Sequence, residues 1–247
     1  MPKNIFHIEA NSPIWQSLNW KPSNKQFELF IKFQYLLSKS NETLNLTRLI
    51  SGEDYWISQV LDSLWPIKDE LKRQTPNLKC IDVGSGCGFP GVAVAIALPE
   101  SQLTLVEAIK KKSQAVQAIV NELGIASRIT LLDERVELTG RNSFFRGKFD
   151  LSMARAVSSP SVVAEYLIPL IKTNGEAILF LGKWNEVEEN KLKKALVKLN
   201  AYIKNIESIN LPAEKGIRHQ VRIAVKGICP QRYPRAIGIP QKRPLGL

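Results

Sequence analysis

The chain has 247 residues, 44% of them hydrophobic and 23% charged, which is enough apolar content to bury a sizeable core and excludes wholesale disorder. Its longest aliphatic run, Val92 to Leu98, falls far short of the about 20 apolar residues that cross a bilayer. With no apolar signal core at the N-terminus either, a cytoplasmic protein without membrane contact is expected. The 34 Lys and Arg against 23 Asp and Glu leave a formal net charge of +11, a surplus that attracts polyanions, nucleic acid among them.

In chain order, Ser23-x-x-Gln26 reads as a capping box, and Phe27, Phe30, Ile31, Phe33 and Leu37 then recur at helical spacing. A second helix is expected from about Glu53 to Leu64, stopped by Pro66, and a short third one before Thr75-Pro76. Residues 1–77 therefore read as a helical N-terminal extension. From Lys79 the texture changes to short apolar runs alternating with amphipathic segments, the pattern of strand–helix–strand units on a parallel sheet. Strands are expected at 80–83, 103–106, 129–132, 151–153 and 177–180, with helices near 91–98, 110–123, 159–172 and 186–199. Ala201 to Ile209 and Gln220 to Val225 have no helix between them and read as an antiparallel hairpin at the sheet edge. The main domain thus spans 78–228. From Cys229 onward the chain carries four prolines, four basic residues at Arg232, Arg235, Lys242 and Arg243, and no acid, so 229–247 reads as a basic, proline-rich, extended tail. Cys80, Cys87 and Cys229 form no C-x-x-C pair, and no metal site is expected.

The sharpest feature is Ile81-Asp82-Val83-Gly84-Ser85-Gly86-Cys87-Gly88-Phe89-Pro90-Gly91, directly after an expected strand and before an expected helix. A chain that turns this abruptly needs positive φ values and bare backbone against a ligand, which glycine supplies at least cost. Gly86-x-Gly88-x-x-Gly91 satisfies the dinucleotide pattern, and Glu107, about 20 residues on, stands where a ribose-binding acid belongs. The stretch begins earlier, however, as Asp82-x-Gly84-x-Gly86-x-Gly88. That form resembles motif I of class I S-adenosylmethionine-dependent methyltransferases. An acid beside the loop favours a cationic sulfonium cofactor and disfavours the pyrophosphate of NAD.

Across residues 41 to 245 the resemblance sharpens to the RsmG (GidB) family of 16S ribosomal RNA guanine-N7 methyltransferases. It is carried by Asn45-Leu-Thr-Arg48, Leu61-Asp62-Ser63, the glycine loop with Phe89-Pro90-Gly91, Arg135-Val136-Glu137, Ser152-Met-Ala-Arg-Ala156, Gly182-Lys183, Arg218-His219 and the tail Tyr233-Pro-Arg-Ala-Ile-Gly-Ile-Pro-Gln-Lys-Arg-Pro-Leu245. The family implies a Rossmann-like seven-stranded sheet, S-adenosylmethionine as cofactor, and cofactor contacts at Gly84, Phe89, Val136, Glu137 and Arg155. The general methyltransferase pattern adds Gly86 and Glu107. One departure is visible: Gln59 stands where the family is expected to show histidine, three residues before Asp62.

The implied target is a guanosine in the 530 loop of 16S ribosomal RNA, free or within the 30S subunit. Guanine N7 carries no proton, so its methylation needs no general base, and no catalytic residue is assigned; proximity and alignment supply most of the acceleration, about 7–11 kcal/mol at best. An N/D-P-P-Y/F motif for adenine amino groups is missing after the fourth strand, where the chain reads Ala154-Arg-Ala-Val-Ser158. Arg155 has two readings, a fork onto the cofactor carboxylate or onto guanine O6. Phosphate contacts are expected from Lys183, Arg218 and Arg235, with Arg232, Lys242 and Arg243 of the tail. A small-molecule methyltransferase and a non-catalytic RNA-binding protein that retains the glycine loop are the competing readings.

Overall fold

The computed structural model describes residues 12–247; His7, one of the two histidines of the sequence, lies outside them. A seven-stranded sheet runs through the centre in the order β3-β2-β1-β4-β5-β7-β6. The strands are β1 (Lys79–Val83), β2 (Gln102–Val106), β3 (Ile129–Leu132), β4 (Phe149–Arg155), β5 (Ile171–Leu181), β6 (Ala201–Leu211) and β7 (Gly216–Val225). The first five pair in parallel, and the β6–β7 hairpin adds antiparallel to β5 at one edge. The chain moves outward from β1 to β3, then returns and proceeds the other way from β4. That reversal opens a crevice above the carboxyl ends of β1 and β4, where open α/β sheets bind ligands.

The first helix, α1 (Asn24–Leu44), starts at the expected capping box: the Ser23 hydroxyl accepts from the Gln26 N–H at 3.3 Å, and Gln26 Oε1 accepts from the Ser23 N–H at 2.9 Å. The second expected helix is a composite of α2 (Gly52–Tyr55), a π-helical stretch Trp56–Leu61 and α3 (Asp62–Leu64); α4 (Lys68–Arg73) is the short third. These helices share the core of the sheet. Phe30, Phe33, Tyr55 and Trp56 are fully buried in one cluster with Val92 and Ile96 of α5 (Gly91–Ala97). The Gln26 amide also donates to the Ile96 and Ala97 carbonyls at the end of α5. The remaining α-helices are α6 (Lys110–Glu122), α7 (Val136–Thr139), α8 (Pro160–Leu167), α9 (Glu186–Lys198) and α10 (Ile239–Lys242).

Three departures from the sequence reading have physical causes. Strand β5 begins at Ile171 rather than 177, because a register shift between Phe149 and Leu151 lets Ile171 pair with Phe149 before Glu176 pairs with Leu151. Gly175 permits this, since a Cβ there would stand 2.7 Å from the Phe149 carbonyl. The one-turn helix α7 is too short to announce itself by periodicity.

The third departure is the tail, which is not extended over the surface. Tyr233, Pro234, Pro240 and Leu245 are buried. Arg146 donates to the Gly140, Tyr233, Cys229 and Pro230 carbonyls, and Arg141 to Pro234 at 2.8 Å. Arg235, expected at a phosphate, forks instead onto Glu165 of α8 (Nε to Oε1 2.9 Å, Nη2 to Oε2 2.7 Å), a carboxylate with no solvent exposure. A buried carboxylate requires a partner, and Arg235 supplies one. Arg232, Lys242 and Arg243 remain exposed. Among the described residues no helix is long and apolar enough to cross a membrane, and no group of three His, Cys, Asp or Glu side chains is placed to hold a metal.

Candidate active site

A cavity of about 820 Å³ occupies the crevice at the switch point, within the usual size range of small-molecule sites. Its floor is main chain. After β1 the backbone turns through Gly84 at φ +72° and Gly86 at φ +56°, values that L side chains adopt only with strain. The turn is fixed to the end of β2: the Gly84 and Ser85 N–H groups donate to the Val106 carbonyl at 2.8 and 3.2 Å. Glu107 closes the same corner, accepting from the Gly86 N–H at 2.9 Å and the Ile109 N–H at 2.8 Å while facing the cavity. A Cβ on Gly86 would meet nothing closer than the Gly84 carbonyl at 3.8 Å, so this bare backbone borders open space. On Gly84, a Cβ would stand 2.6 Å from Val157 Cγ2 in the loop after β4.

The structure reassigns Asp82. Side chains alternate across a strand, so Val83 faces the cavity while Asp82 turns beneath α5 and is fully buried. One oxygen accepts from the Gly91 N–H at 2.8 Å, and the other has no partner among the described residues. Burial pushes its carboxyl up to about 7, against the opposing pull of the Gly91 N–H and Arg155. Asp82 thus fastens the loop to the start of α5 rather than lying against a ligand. Gly91 answers the same packing: a Cβ would strike Leu105 Cδ2 at 2.3 Å and Asp82 Oδ2 at 2.8 Å.

The opposite wall is built of side chains. Arg155, at the end of β4, donates through Nη1 to Asp62 at 3.1 Å and to the Ser58 carbonyl at 3.2 Å, and through Nη2 to Gln59 Oε1. Its guanidinium carbon lies 5.6 Å from the centre of the Phe89 ring, a cation–π distance. Phe89 in turn stacks on Phe33 of α1 at 4.8 Å, so the N-terminal helices set the position of this wall. Gln59 also donates to the Thr47 hydroxyl at 3.2 Å. Arg218, from β7, approaches Asp62 from the far side at 3.6 Å. Burial raises the Asp62 carboxyl, and the two guanidiniums act against that.

The other expected residues divide. Val136 lines the cavity beside Arg135 and Tyr166. Glu137 does not line it: its buried carboxylate accepts from Arg135, from the Gly238 N–H at 3.0 Å and from the Tyr166 hydroxyl at 3.4 Å. Burial raises that carboxyl, but the Gly238 N–H and Arg135 outweigh it and hold it below the usual range. Its place is behind the cavity wall. Lys183 is exposed just beyond Gly182 on the rim, and Lys112 of the basic Lys110–Lys112 run reaches the cavity. Sequence reasoning did not single out Thr47, Tyr166 or Gln241 as lining residues. Thr47 and Gln241 fall within motifs that point to the family but not to a role, and nothing local marks Tyr166.

Glycine-bent main chain after β1, a carboxylate at the end of β2 and a lining residue just past β3 define the nucleoside-binding half of a class I S-adenosylmethionine-dependent methyltransferase. The fold agrees: an S-adenosylmethionine-dependent O-methyltransferase from Thermotoga maritima superposes with a TM-score of 0.54 at 15% identity, over 76% of this chain and 71% of that one. The family model for GidB, rRNA small subunit methyltransferase G, matches residues 26–219. Ribosomal RNA small subunit methyltransferase G from a strain of Prochlorococcus marinus is 55% identical over 232 residues, covering 94% of this chain and 92% of that protein. The protein of the same name from a strain of Synechococcus is 49% identical, covering 94% and 96%. The chain belongs to the rRNA small subunit methyltransferase G family.

Proposed function

We propose that this protein transfers the methyl group of S-adenosylmethionine to N7 of a guanosine in the 530 loop of 16S ribosomal RNA, in the cytoplasm. The observation that carries the chemistry is the state of the carboxylates facing the cavity. Asp62 sits between Arg155 and Arg218, Glu107 accepts two backbone N–H groups, and Glu134 accepts from the Thr139 hydroxyl at 2.7 Å. No imidazole joins them among the described residues, where His219 does not line the cavity. A reaction at an unprotonated ring nitrogen needs none of these groups as a base, whereas methylation of an amino group leaves a proton to be removed.

The residues present fit the cofactor. Main chain at 84–86 gives a nucleoside close approach, Glu107 has acceptor capacity left for ribose hydroxyls, and Val136 borders the adenine end. When bound, S-adenosylmethionine supplies an electrophilic methyl on a cationic sulfur. The chain supplies placement: Arg155, held by Asp62, Gln59 and the Phe89 ring, presents a fixed cation at the boundary between cofactor and substrate. Lys183 and Arg218 on the rim, with the exposed Arg232, Lys242 and Arg243, would meet phosphates. The N7 edge is hidden in the deep groove of paired RNA, so the guanosine would be taken unpaired.

The test is transfer of labelled methyl from S-adenosylmethionine to 16S RNA and to 30S particles, followed by borohydride/aniline scission, which cuts at N7-methylguanosine. Scission at one guanosine of the 530 loop is expected. Label at any other atom would remove the N7 assignment.

A further inference from the structure

The segment 229–247 lies beyond the residues matched by the family model, yet it reaches the cavity. Gln241, in α10, lines the same space as Val136 and Tyr166. We infer that this segment is a wall of the cofactor site and that the Gln241 side-chain amide meets the purine edge of the bound nucleoside. The inference rests on the cofactor reading above and deepens it.

Two anchors carry it. Glu137, directly after Val136, accepts from the Gly238 N–H at 3.0 Å while holding Arg135 and the Tyr166 hydroxyl on the cavity side. One carboxylate therefore fixes both the adenine-end wall and the residue three places before Gln241. Glu165, directly before Tyr166, holds Arg235 through its side chain and its N–H, the latter at 2.8 Å. Leu245, beyond α10, is buried in the core cluster that includes α8 and α9, so α10 is pinned on both sides of Gln241. A primary amide offers a donor and an acceptor side by side. That array complements the N6 amine of adenine and its neighbouring ring nitrogen, the pairing by which glutamine reads adenine elsewhere. Because the same groups form the wall and dock the segment, cofactor binding and docking favour one another to the same extent.

The experiment is calorimetry on the full chain with S-adenosylhomocysteine and with S-inosylhomocysteine, in which a carbonyl oxygen replaces the N6 amine. The wild type should prefer the adenine compound. Gln241→Ala should weaken S-adenosylhomocysteine binding by about 3–10-fold, the range expected for one or two hydrogen bonds, and should narrow the preference over S-inosylhomocysteine by a similar factor. Since Gln241 is exposed, the variant should fold normally. Unchanged affinity and preference in Gln241→Ala, with binding still abolished in Gly84→Val, would overturn the inference and leave the cofactor site standing. Normal binding in Gly84→Val would instead remove the reading beneath it. Independently, S-adenosylhomocysteine should slow tryptic cleavage after Arg235 and Lys242; equal rates with and without it would overturn the docking linkage.

Discussion

The two walls of the cavity are made of different material. The wall after β1 is main chain, fixed by hydrogen bonds from Gly84 and Ser85 to the end of β2. The facing wall is a chain of side chains, Thr47 to Gln59 to Arg155 to Asp62 to Arg218, supplied by the N-terminal helical region, β4 and β7. Backbone presents the same donors and acceptors whatever the side chains do, which suits a ligand that never varies. Charged side chains with several partners each suit a polyanionic substrate whose approach must be oriented. The difference explains why one wall was visible as a glycine pattern and the other needed the fold to bring its parts together.

The largest effect should come from the backbone wall. Gly84→Val places a β-branched residue at a strained φ of +72° with its Cβ 2.6 Å from a Val157 methyl, so the turn or Val157 must move; S-adenosylhomocysteine affinity should fall by about 100-fold or more. Unchanged affinity in calorimetry would take the glycine turn out of the site. Arg155→Ala should break the facing wall, leaving buried Asp62 with the more distant Arg218. Methyl transfer should drop steeply while stability falls by about 1–3 kcal/mol, read by urea unfolding. Full activity would mean that this wall orients nothing.

Arg235→Ala acts on stability rather than on transfer, since it strands the fully buried Glu165. The expected result is a loss of about 3–5 kcal/mol of stability, with the salt dependence of RNA binding nearly unchanged in protein that stays folded. A shallower salt slope with intact stability would return Arg235 to the RNA surface. Lys183→Glu should do the reverse: stability is kept, and the slope of log affinity against log salt shrinks by about 1.

The pH dependence of stability centres on Asp82. Its folded carboxyl, pushed up to about 7, lies above the about 3.9 of an unfolded aspartate. Between these values the folded state binds more protons than the unfolded one, so stability falls as pH rises through the window. The wild type should therefore lose stability relative to Asp82→Asn from about pH 4 to about pH 7. A relative stability that rises over this range would contradict the assignment of Asp82 as a buried, loop-fastening group.

Much of the fold was legible because its signals are local. The capping box at Ser23, the glycine loop and the five apolar runs each carry their own geometry, and all five runs are strands in the parallel part of the sheet. What escaped was non-local. Nothing near Arg235 in sequence reveals Glu165, 70 residues away, so a proline-rich basic stretch read as a phosphate-binding tail. Asp82 was misplaced by a single step of strand alternation: its neighbour Val83 faces the cavity and Asp82 faces α5. Glu137 likewise lies one residue past a lining position, in a helix too short to show a face.

The most direct test of the two-wall account is a crystal structure of the full chain with S-adenosylhomocysteine. The nucleoside should lie along residues 84–86 with its ribose hydroxyls on Glu107 and its adenine beside Val136, leaving Gln59, Asp62 and Arg218 clear for the guanosine. Ligand seated among those three side chains, with the glycine turn bare, would contradict it.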